Sequence, residues 1–384
     1  MTRRAGGRRV RLVATITAAV VALAGSIVVL VTRSDPVAVT VMTRNLYLGA
    51  DITRPIRATQ ERTGRDALLA LGHANAELRR VVEQTDFGVR GPLVAAEIAG
   101  ARPDLVGLQE VALWRHGPLE LDRPGVPDAT AVDEDFLTLL LGDLARRGVP
   151  YDVVQVQAES DVEAPAFTGD PAAGADTDAR DVRLTMRDVI LVRHDSTVRI
   201  RDRGGAQYTR RSVVQLGGVP YAFVRGYAWA DVSIGSRTFR FLTTHLESQS
   251  GALAAAQAQE LVVGPARDTG QPVIVVCDCN ANPPAAAAYQ ILTRRAHLRD
   301  GWVAARSRVG SGATATLGEL LQDPSPASLD RRIDLVLARP GRLGSVTVDR
   351  AEVTGGATAD RDPATGLWPS DHAGVVVRLQ LRGR

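Results

Sequence analysis

Residues 272–283 read Pro-Val-Ile-Val-Val-Cys-Asp-Cys-Asn-Ala-Asn-Pro. The β-branched run in the first half is typical of a strand buried inside a sheet. Such a strand has no structural need for a charged end, yet this one leads into Asp278 and Asn280. Alternation along an extended chain puts these two side chains on one side and Cys277 and Cys279 on the other. The stretch therefore predicts an α/β fold that carries polar chemistry at the end of a central strand.

The same arrangement, an apolar run flanked by polar side chains, recurs along the chain. Asn45 follows residues 37–44, Glu110 follows 104–109, His245 follows 239–244, and Asp371 and His372 precede 374–379. Because strand ends meet along one rim of an α/β sheet, ligands gather there. Five segments with this arrangement predict a single site that is built from both halves of the chain.

The remaining patterns predict the surrounding fold. Apolar residues at helical spacing predict helices over 66–84, 133–147 and 251–263, and short β-branched runs lie between them. This alternation predicts mixed sheets covered by helices, in one domain over residues 36–384. Residues 160–182 are rich in Pro, Gly, Ala and Asp and lack periodicity, so we expect a mobile surface insertion there.

Composition narrows the chemistry. The chain contains no lysine, so all 46 fixed basic side chains are arginine. This excludes a P-loop lysine and a Schiff-base mechanism. Any phosphate would therefore be bound by guanidinium groups, backbone amides or metal. Outside residues 1–35 the charges nearly balance, which gives no support for tight nonspecific binding of nucleic acid. One cysteine pair is too small for a disulfide framework or a structural zinc site, so we interpret Cys277 and Cys279 as packing residues.

The N-terminal segment predicts export. Leu12 to Val31 is a run of 20 uncharged residues preceded by five arginines. It is long enough to cross a bilayer, and the arginines keep the N-terminus in the cytoplasm. A cleavable signal peptide is the alternative, because Ala22-Leu23-Ala24 has the form of a cleavage site. The catalytic domain is therefore expected outside the cell membrane, either anchored to it or secreted.

Six short motifs resemble, in order, the serial motifs of the endonuclease/exonuclease/phosphatase superfamily. They are Asn45, Gln109-Glu110-Val111, Thr-Thr-His-Leu-Glu around His245, Asp278–Pro283, Arg-Arg-Ile-Asp-Leu-Val-Leu around Asp334, and Ser370–Val375. That superfamily includes deoxyribonuclease I-like nucleases, abasic-site endonucleases, neutral sphingomyelinases and inositol polyphosphate 5-phosphatases. The resemblance implies a four-layer α/β sandwich, with two mixed sheets packed face to face between helices. It also implies a Mg²⁺-dependent site at the sheet rim, with Mn²⁺ and Ca²⁺ as alternative ions.

The resemblance and the chemistry of phosphoester hydrolysis together suggest roles. Glu110 is the best candidate metal ligand because Mg²⁺ prefers carboxylate oxygens. Asn45 is expected to assist through metal or phosphate, and Asp371 to reach the metal. Asp278 is expected to orient or deprotonate the attacking water, and Asn280 to donate a hydrogen bond to a phosphoryl oxygen.

The histidines are expected to complete the site. His372 would position or deprotonate the nucleophile or bind phosphate, with Asp334 orienting its imidazole. His245 would bind phosphate or serve as general acid. Asp188, at the start of a predicted strand, is the candidate partner of His245, although its register matches the family loosely.

The chain departs from the family at two places. The glycine that usually precedes the catalytic aspartate is Cys277, and the apolar residue that usually follows it is Cys279. Both replacements are small and readily buried. The acidic residue found two positions after the first asparagine in some nucleases is Tyr47, and Asp51 in the following loop is a possible substitute for contacts with substrate. This argues against a specific assignment as an abasic-site endonuclease.

The sequence thus predicts an exported metal-dependent phosphoesterase that cleaves a phosphodiester or phosphomonoester. The candidate substrates are nucleic acid and a phospholipid head group, and the near-neutral charge and the nearby anchor mildly favour the second. A noncatalytic surface binding protein on the same fold is the alternative, although none of the core positions is lost. No sequence feature indicates a protein partner.

Overall fold

The computed structural model describes residues 36–123, 126–173, 178–216, 219–342 and 344–383. The segment Leu12–Val31, for which we predict an anchor or a signal peptide, lies outside the described residues. In the described part of the chain, no helix has the length and apolar character needed to span a bilayer.

Strands form most of the regular structure. In chain order they are β1 (Val37–Asn45), β2 (Leu105–Gln109), β3 (Leu113–Pro118), β4 (Ala131–Asp135), β5 (Tyr151–Ala166), β6 (Arg180–Arg193), β7 (Arg199–Gln207), β8 (Ser212–Leu216), β9 (Val219–Phe223), β10 (Gly226–Ile234), β11 (Arg237–His245), β12 (Val273–Asp278), β13 (Arg299–Asp300), β14 (Ser307–Val309), β15 (Asp334–Arg339), β16 (Gly344–Thr354) and β17 (Gly374–Gly383).

Helices cover the strands, and several begin at residues that cap them. The α-helices are α1 (Arg54–Thr59), α2 (Gly64–Thr85), α3 (Phe87–Ala101), α4 (Phe136–Arg146), α5 (Gly251–Val263), α6 (Ala287–Gln290) and α7 (Gly301–Ala304); a π-helix spans Ile291–Arg295, and 3₁₀ turns span Pro171–Ala173, Pro326–Ser328 and Thr358–Asp360. Asp135 accepts a hydrogen bond from the Leu137 amide at the start of α4. Ser250 does the same for the Leu253 amide in α5. Both contacts satisfy amide groups that a helix leaves unpaired at its first turn.

The described strands form two large sheets and a separate hairpin. The larger sheet has the order β14-β16-β17-β1-β2-β6-β3-β4, with β5 also paired to β6, and the smaller has the order β13-β15-β12-β11-β10-β7. Strands β8 and β9 pair only with each other. In each large sheet, two parallel strands lie between antiparallel neighbours: β1 and β2 between β17 and β6, β12 and β11 between β15 and β10.

Three hydrophobic layers hold these sheets and helices together. Val106 of the larger sheet lies in one cluster with Phe87 and Phe136, the first residues of α3 and α4. The two rings stack with their centroids 3.8 Å apart. Residues such as Phe241 fill the space between the two sheets, and Leu261 of α5 covers the outer face of the smaller sheet. The order helix, sheet, sheet, helix confirms the predicted four-layer sandwich with two mixed sheets.

The sheets approach each other closely beneath the site. A Cβ atom at Gly107 would lie 2.3 Å from Val276 Cγ2 and 2.7 Å from the Thr243 hydroxyl oxygen. Only glycine fits this position because both neighbours belong to the facing sheet. The close approach brings the ends of the two parallel strand pairs, on which the candidate residues lie, to one rim.

Residues 160–182 differ from the prediction of a mobile surface insertion. β5 continues to Ala166 and β6 begins at Arg180, and the two strands pair along almost their whole length. Only the segment between these strands lies outside the sheet, and the structure does not describe residues 174–177 within it. Periodicity is weak here because both strands are largely covered and carry paired charges, such as Arg183 with Asp161 at 2.5 Å.

The interpretation of Cys277 and Cys279 as packing residues is incomplete. Both side chains are fully buried beneath α5, as that interpretation requires, but they also form a disulfide bond with each other. Residues two apart in an extended strand are separated by roughly 6.6 Å. Here the chain turns as β12 ends, which shortens the Cα–Cα distance to 5.1 Å and permits the bond.

Candidate active site

Asp278 lies at the centre of the rim, where side chains from both sheets converge. Its Oδ2 atom accepts a hydrogen bond from the Asn45 amide at 3.0 Å and lies 3.4 Å from His245 Nε2 and 3.8 Å from His372 Nε2. Its Oδ1 atom accepts from the Asn280 backbone amide at 3.0 Å, which fixes the turn that ends β12. Burial raises the pKa of Asp278 to about 7; the His372 cation opposes this shift and the Asp334 carboxylate adds to it.

His372 is held from behind by a carboxylate. Its Nδ1 atom is 2.8 Å from Asp334 Oδ2, and Asp334 lies directly opposite Asp278 in the pairing of β15 with β12. Burial opposes a charge on this ring, but the carboxylates of Asp334, Asp371 and Asp278 together raise its pKa well above the usual value. His372 is therefore an imidazolium whose Nδ1–H donates to Asp334, which leaves Nε2–H directed at the site.

His245 is held from behind by a cation instead. The Arg225 guanidinium donates to its Nδ1 atom at 2.9 Å. Because a guanidinium can only donate, Nδ1 must be the acceptor and the ring proton must lie on Nε2. Burial, then the charges of Arg225 and His372, lower the pKa of His245 well below the usual value. His245 is therefore neutral, with its single N–H directed into the site.

The Asn280 side chain lies beside His245. Its Nδ2 atom donates to the Leu246 carbonyl at 2.9 Å and is 3.1 Å from His245 Nε2. Two donors cannot form a hydrogen bond with each other, and the Asp278 Oδ2 atom lies 3.4 Å from His245 Nε2 on the side of the site. Asn280 is thus present at the site as predicted, and its amide is already committed to orienting the chain after β11.

Glu110 and Asp371 face the same cavity, which has a volume of about 420 Å³. Glu110 follows β2, and its Oε2 atom accepts from the Leu48 amide at 2.9 Å. Burial and the Glu110 carboxylate are among the causes that raise the pKa of Asp371 to about 6, although the His372 cation opposes them. The two carboxylates therefore repel each other across one space.

Asn45 and Asp51 are the other predicted contacts for metal or substrate. Asn45 Oδ1 accepts from the Tyr47 amide at 2.8 Å while its Nδ2 donates to Asp278, so both ends of the amide position neighbours. Asp51 lines the cavity with Glu110, but its carboxylate pairs with Arg57 at 2.7 Å. The charge that Asp51 presents to a substrate is therefore largely compensated.

The sequence model of the Endonuclease/Exonuclease/phosphatase family matches residues 76–372. This chain belongs to that family. The match covers most of the chain and includes every predicted site residue except Asn45 and Asp51, which precede it. No curated protein matches the chain significantly.

Solved structures share the fold of this family member. An endonuclease/exonuclease/phosphatase family protein from Bacteroides thetaiotaomicron has 18% identity and a TM-score of 0.52, over 90% of this chain and 98% of that one. A mannosyl-6-phosphatase from the same species has 18% identity and a TM-score of 0.51, over 89% and 99%. A family protein from Bacteroides vulgatus has 17% identity and a TM-score of 0.50, over 90% and 99%. At these identities the likeness establishes the fold.

The structure contradicts the predicted pairing of Asp188 with His245, because Arg225 occupies the Nδ1 side of that ring. Asp188 lies inside β6, not at a strand end, and is fully buried between the sheets. Neither of its carboxylate oxygens has a hydrogen-bond partner among the described residues. Burial and the nearby Glu159 carboxylate raise the pKa of Asp188 well above the usual value.

The donor set fits a hard divalent cation. One ligand atom from each of Asp278, Asp334 and His372 lies within 4.8 Å of the others, and the Oδ1 atom of Asp334 is buried without a hydrogen bond in the described structure. The carboxylates of Glu110 and Asp371 face one cavity, and the Glu110 charge is among the causes that raise the pKa of Asp371. Hard oxygen ligands that repel one another are what a divalent cation stabilises. His372 itself is committed to Asp334, so Glu110 and Asp371 are the better ligands.

Sequence reasoning missed three arginines that organise the site. Arg44 and Arg90 are fully buried; Arg44 donates to the His372 carbonyl, and Arg90 bonds the Leu46 carbonyl at 2.8 Å and the Pro369 carbonyl at 3.0 Å. They hold the end of β1 against the segment before β17. Arg225, the third, lies in the link between β9 and β10 and carries no motif. A buried arginine among exposed ones has no signal in a single sequence this rich in arginine.

Proposed function

We propose that this family member is an exported, Mg²⁺-dependent phosphoesterase that hydrolyses a phosphodiester or a phosphomonoester. One observation carries the proposal: a single carboxylate oxygen, Asp278 Oδ2, faces a neutral histidine at 3.4 Å and a cationic histidine at 3.8 Å. A base placed beside two donors suits a reaction in which water attacks a group that gains negative charge.

The electrostatics of the site divide the work between its residues. Asp278, with its raised pKa, accepts the proton of the attacking water near neutral pH. His372 is already protonated and cannot act as base, so its Nε2–H stabilises the charge of a phosphoryl oxygen and supplies the proton that the leaving oxygen takes up when its P–O bond breaks. His245 is neutral and a weak acid at its lowered pKa, so it binds a second phosphoryl oxygen through Nε2–H.

The carboxylates of Glu110 and Asp371 would hold the cation at the wall of the cavity, and Mn²⁺ and Ca²⁺ are the alternatives to Mg²⁺. When bound there, a divalent cation neutralises phosphoryl charge and lowers the pKa of a bound water. Asp334 keeps His372 in one orientation, and Asn45 does the same for Asp278. The likeness to a mannosyl-6-phosphatase supports the fold of a phosphoesterase and leaves the substrate of this chain to be found.

Export is part of the proposal and is supported by the sequence of the N-terminal segment. Leu12 to Val31 carries no charge and follows five arginines. We propose that it either anchors the catalytic domain at the outer face of the cell membrane or is removed as a signal peptide. Immunoblotting of membrane and medium fractions distinguishes the two, and recovery of the protein in the cytosol contradicts both.

A substrate panel tests the activity. Purified protein is assayed with bis-p-nitrophenyl phosphate, plasmid DNA and sphingomyelin, each with Mg²⁺ and with EDTA, so that nucleic acid and phospholipid are compared directly. We expect metal-dependent turnover that is absent in Asp278→Ala. If no member of the panel is hydrolysed by the folded protein, the chain is a noncatalytic surface binding protein on the same fold.

A further inference from the structure

Apolar cavities adjoin the cavity that Glu110 and Asp371 line, which we call the catalytic cavity. In the described structure, three cavities adjoin one another and share walls. The catalytic cavity shares Ile52, Ile56 and Phe223 with a narrow cavity of about 50 Å³. The narrow cavity in turn shares Val162, Ala164 and Leu216 with an end cavity of about 270 Å³. The residues shared at both junctions are apolar, and we call this row of adjoining cavities the passage.

The narrow cavity offers little to a polar ligand. Its walls include Leu78, Leu184 and the Trp114 ring. The indole N–H already donates to the Leu48 carbonyl at 2.9 Å, and the one amide side chain in the wall, Asn75, donates to the Pro165 carbonyl at 2.8 Å. A ligand segment that passes here therefore gains from burial of apolar surface and has few hydrogen bonds to make.

The end cavity is apolar with an acidic edge whose groups are committed to the protein. Asp161 pairs with Arg183 at 2.5 Å, and Asp181 accepts from the Glu120 amide at 2.9 Å. Glu163 accepts from the Ala129 amide at 2.8 Å. The one arginine in this lining, Arg123, is itself paired with Glu120 and Asp128, so the described edge offers no unpaired cation to a polyanion. A nucleic acid strand that extends from the catalytic cavity is therefore disfavoured.

One hairpin forms a wall along the whole passage. Alternate residues of β8 face inward: Ser212 and Val214 line the catalytic cavity and Leu216 lines the other two. Val213, between them, is 62% exposed and points away. On the returning strand, Phe223 lies at the first junction. Because β8 and β9 pair only with each other, this wall is an addition to the two-sheet sandwich.

We propose that the passage binds the hydrocarbon chain of an amphiphilic phosphoester whose phosphate lies at the proposed active site, where Glu110, Asp371 and Arg225 line the catalytic cavity. The inference rests on the proposed function, since it places the phosphate at that site. It is carried by the continuity of the apolar walls with the catalytic cavity and by the acidic edge at the far end. The substrate class is then a lipid-like phosphoester, and nucleic acid is disfavoured.

A chain-length series tests the passage. The full chain, held in bilayer nanodiscs, is assayed with Mg²⁺ on ethyl, butyl, hexyl and octyl p-nitrophenyl phosphates. Burial of each added methylene group should raise kcat/KM about fourfold until the passage is filled, chiefly through a lower KM. A kcat/KM that stays the same from ethyl to octyl overturns the proposal.

Matched variants locate the effect. Leu216→Gln places an amide in the passage, and Val213→Gln makes the same change on the outward face of the same strand. We expect Leu216→Gln to flatten the chain-length dependence while hydrolysis of the ethyl ester stays normal, and Val213→Gln to behave as wild type. Equal loss in both variants, or in neither, contradicts the proposed path of the chain.

The two proposals fail in different ways. If the ethyl ester is hydrolysed only with metal but chain length has no effect, the phosphoesterase stands and the passage does not bind hydrocarbon. If no ester is hydrolysed, binding of ethyl- and octylphosphonate is measured by calorimetry. Tighter binding of the octyl compound that Leu216→Gln abolishes supports the passage without the activity, and equal binding of both compounds overturns it.

Discussion

The two histidines of the site are backed by groups of opposite charge. His372 precedes β17 in the larger sheet and is backed by the Asp334 carboxylate at 2.8 Å, so its pKa is raised. His245 ends β11 in the smaller sheet and is backed by the Arg225 guanidinium at 2.9 Å, so its pKa is lowered. Both rings direct Nε2 at one oxygen of Asp278. The group behind an imidazole, more than its place at the rim, therefore decides whether it is a cation or a neutral donor.

Removal of the shared acceptor should have the largest effect. Asp278→Asn keeps the shape of the side chain but leaves neither a base for water nor a negative charge between the rings. We expect kcat on bis-p-nitrophenyl phosphate to fall about 10³-fold, within the usual range for a general base. Circular dichroism of the variant serves as the control for folding. Retention of a tenth of wild-type turnover by a folded variant contradicts the role of Asp278.

Asp334→Asn removes the carboxylate that lies behind His372. Without the carboxylate the ring loses the partner that fixes its orientation and raises its pKa. We expect kcat to fall about 100-fold, with a small change in KM, because the lost charge matters most when the phosphoryl oxygens become more negative. Steady-state kinetics at fixed Mg²⁺ measures this split. A pure KM effect would show that Asp334 contributes to ground-state binding only.

Arg225→Leu removes the guanidinium that lies behind His245. We expect a smaller effect, a fall of about 10-fold in kcat/KM. The neutral ring keeps one N–H but loses the donor that holds the proton on Nε2. Nitrogen NMR of the imidazole should show a single tautomer in wild type and a mixture in the variant. Arg225→Lys, which keeps a cationic donor, should recover much of the activity.

A control for Arg225 is available on the same sheet. Arg240 on β11 pairs with Asp231 at 2.7 Å, and both residues lie away from the strand end that carries His245. Arg240→Leu therefore also removes a partly covered ion pair. It should leave the His245 tautomer unchanged. If the two leucine variants lose activity equally, Arg225 acts through stability and not through the orientation of His245.

The same contrast explains what the sequence could and could not predict. Asp334 and His372 lie at strand ends within motifs, and Asp334 is opposite Asp278 in the register of adjacent strands, so their pairing followed from the motifs. The partner of His245 comes from a link after a hairpin that the two-sheet sandwich does not require, and no motif marks it. The sequence predicts that Asp188 lies near a strand start, but β6 begins eight residues earlier, at Arg180. The length of β6 is set by its tertiary pairing with β5, which periodicity does not encode. Asp188 therefore lies in the interior and not at the rim.

Asp188→Asn should have the smallest effect on the rate and should instead change the stability of the fold. The carboxyl group of Asp188 is buried without a hydrogen bond in the described structure, and burial raises its pKa above the unfolded value. Such a group opposes folding as pH rises above the ordinary aspartate range, because folding then requires either a buried charge or uptake of a proton. Asparagine removes that cost. We expect the free energy of unfolding of the metal-free protein to rise near neutral pH.

The pH dependence and the rate together decide between the two accounts of Asp188. The stability gain of Asp188→Asn, measured by urea unfolding in EDTA, should shrink as pH falls through about 4 and should be lost below about 3, where the wild-type carboxyl is protonated in both states. The kcat should stay within about twofold of wild type, because Arg225 and not Asp188 contacts His245. A fall comparable to that of Asp334→Asn would instead make Asp188 the carboxylate partner of His245. The two histidines would then be equivalent after all, each charged by an aspartate, and the neutral donor would disappear from the mechanism.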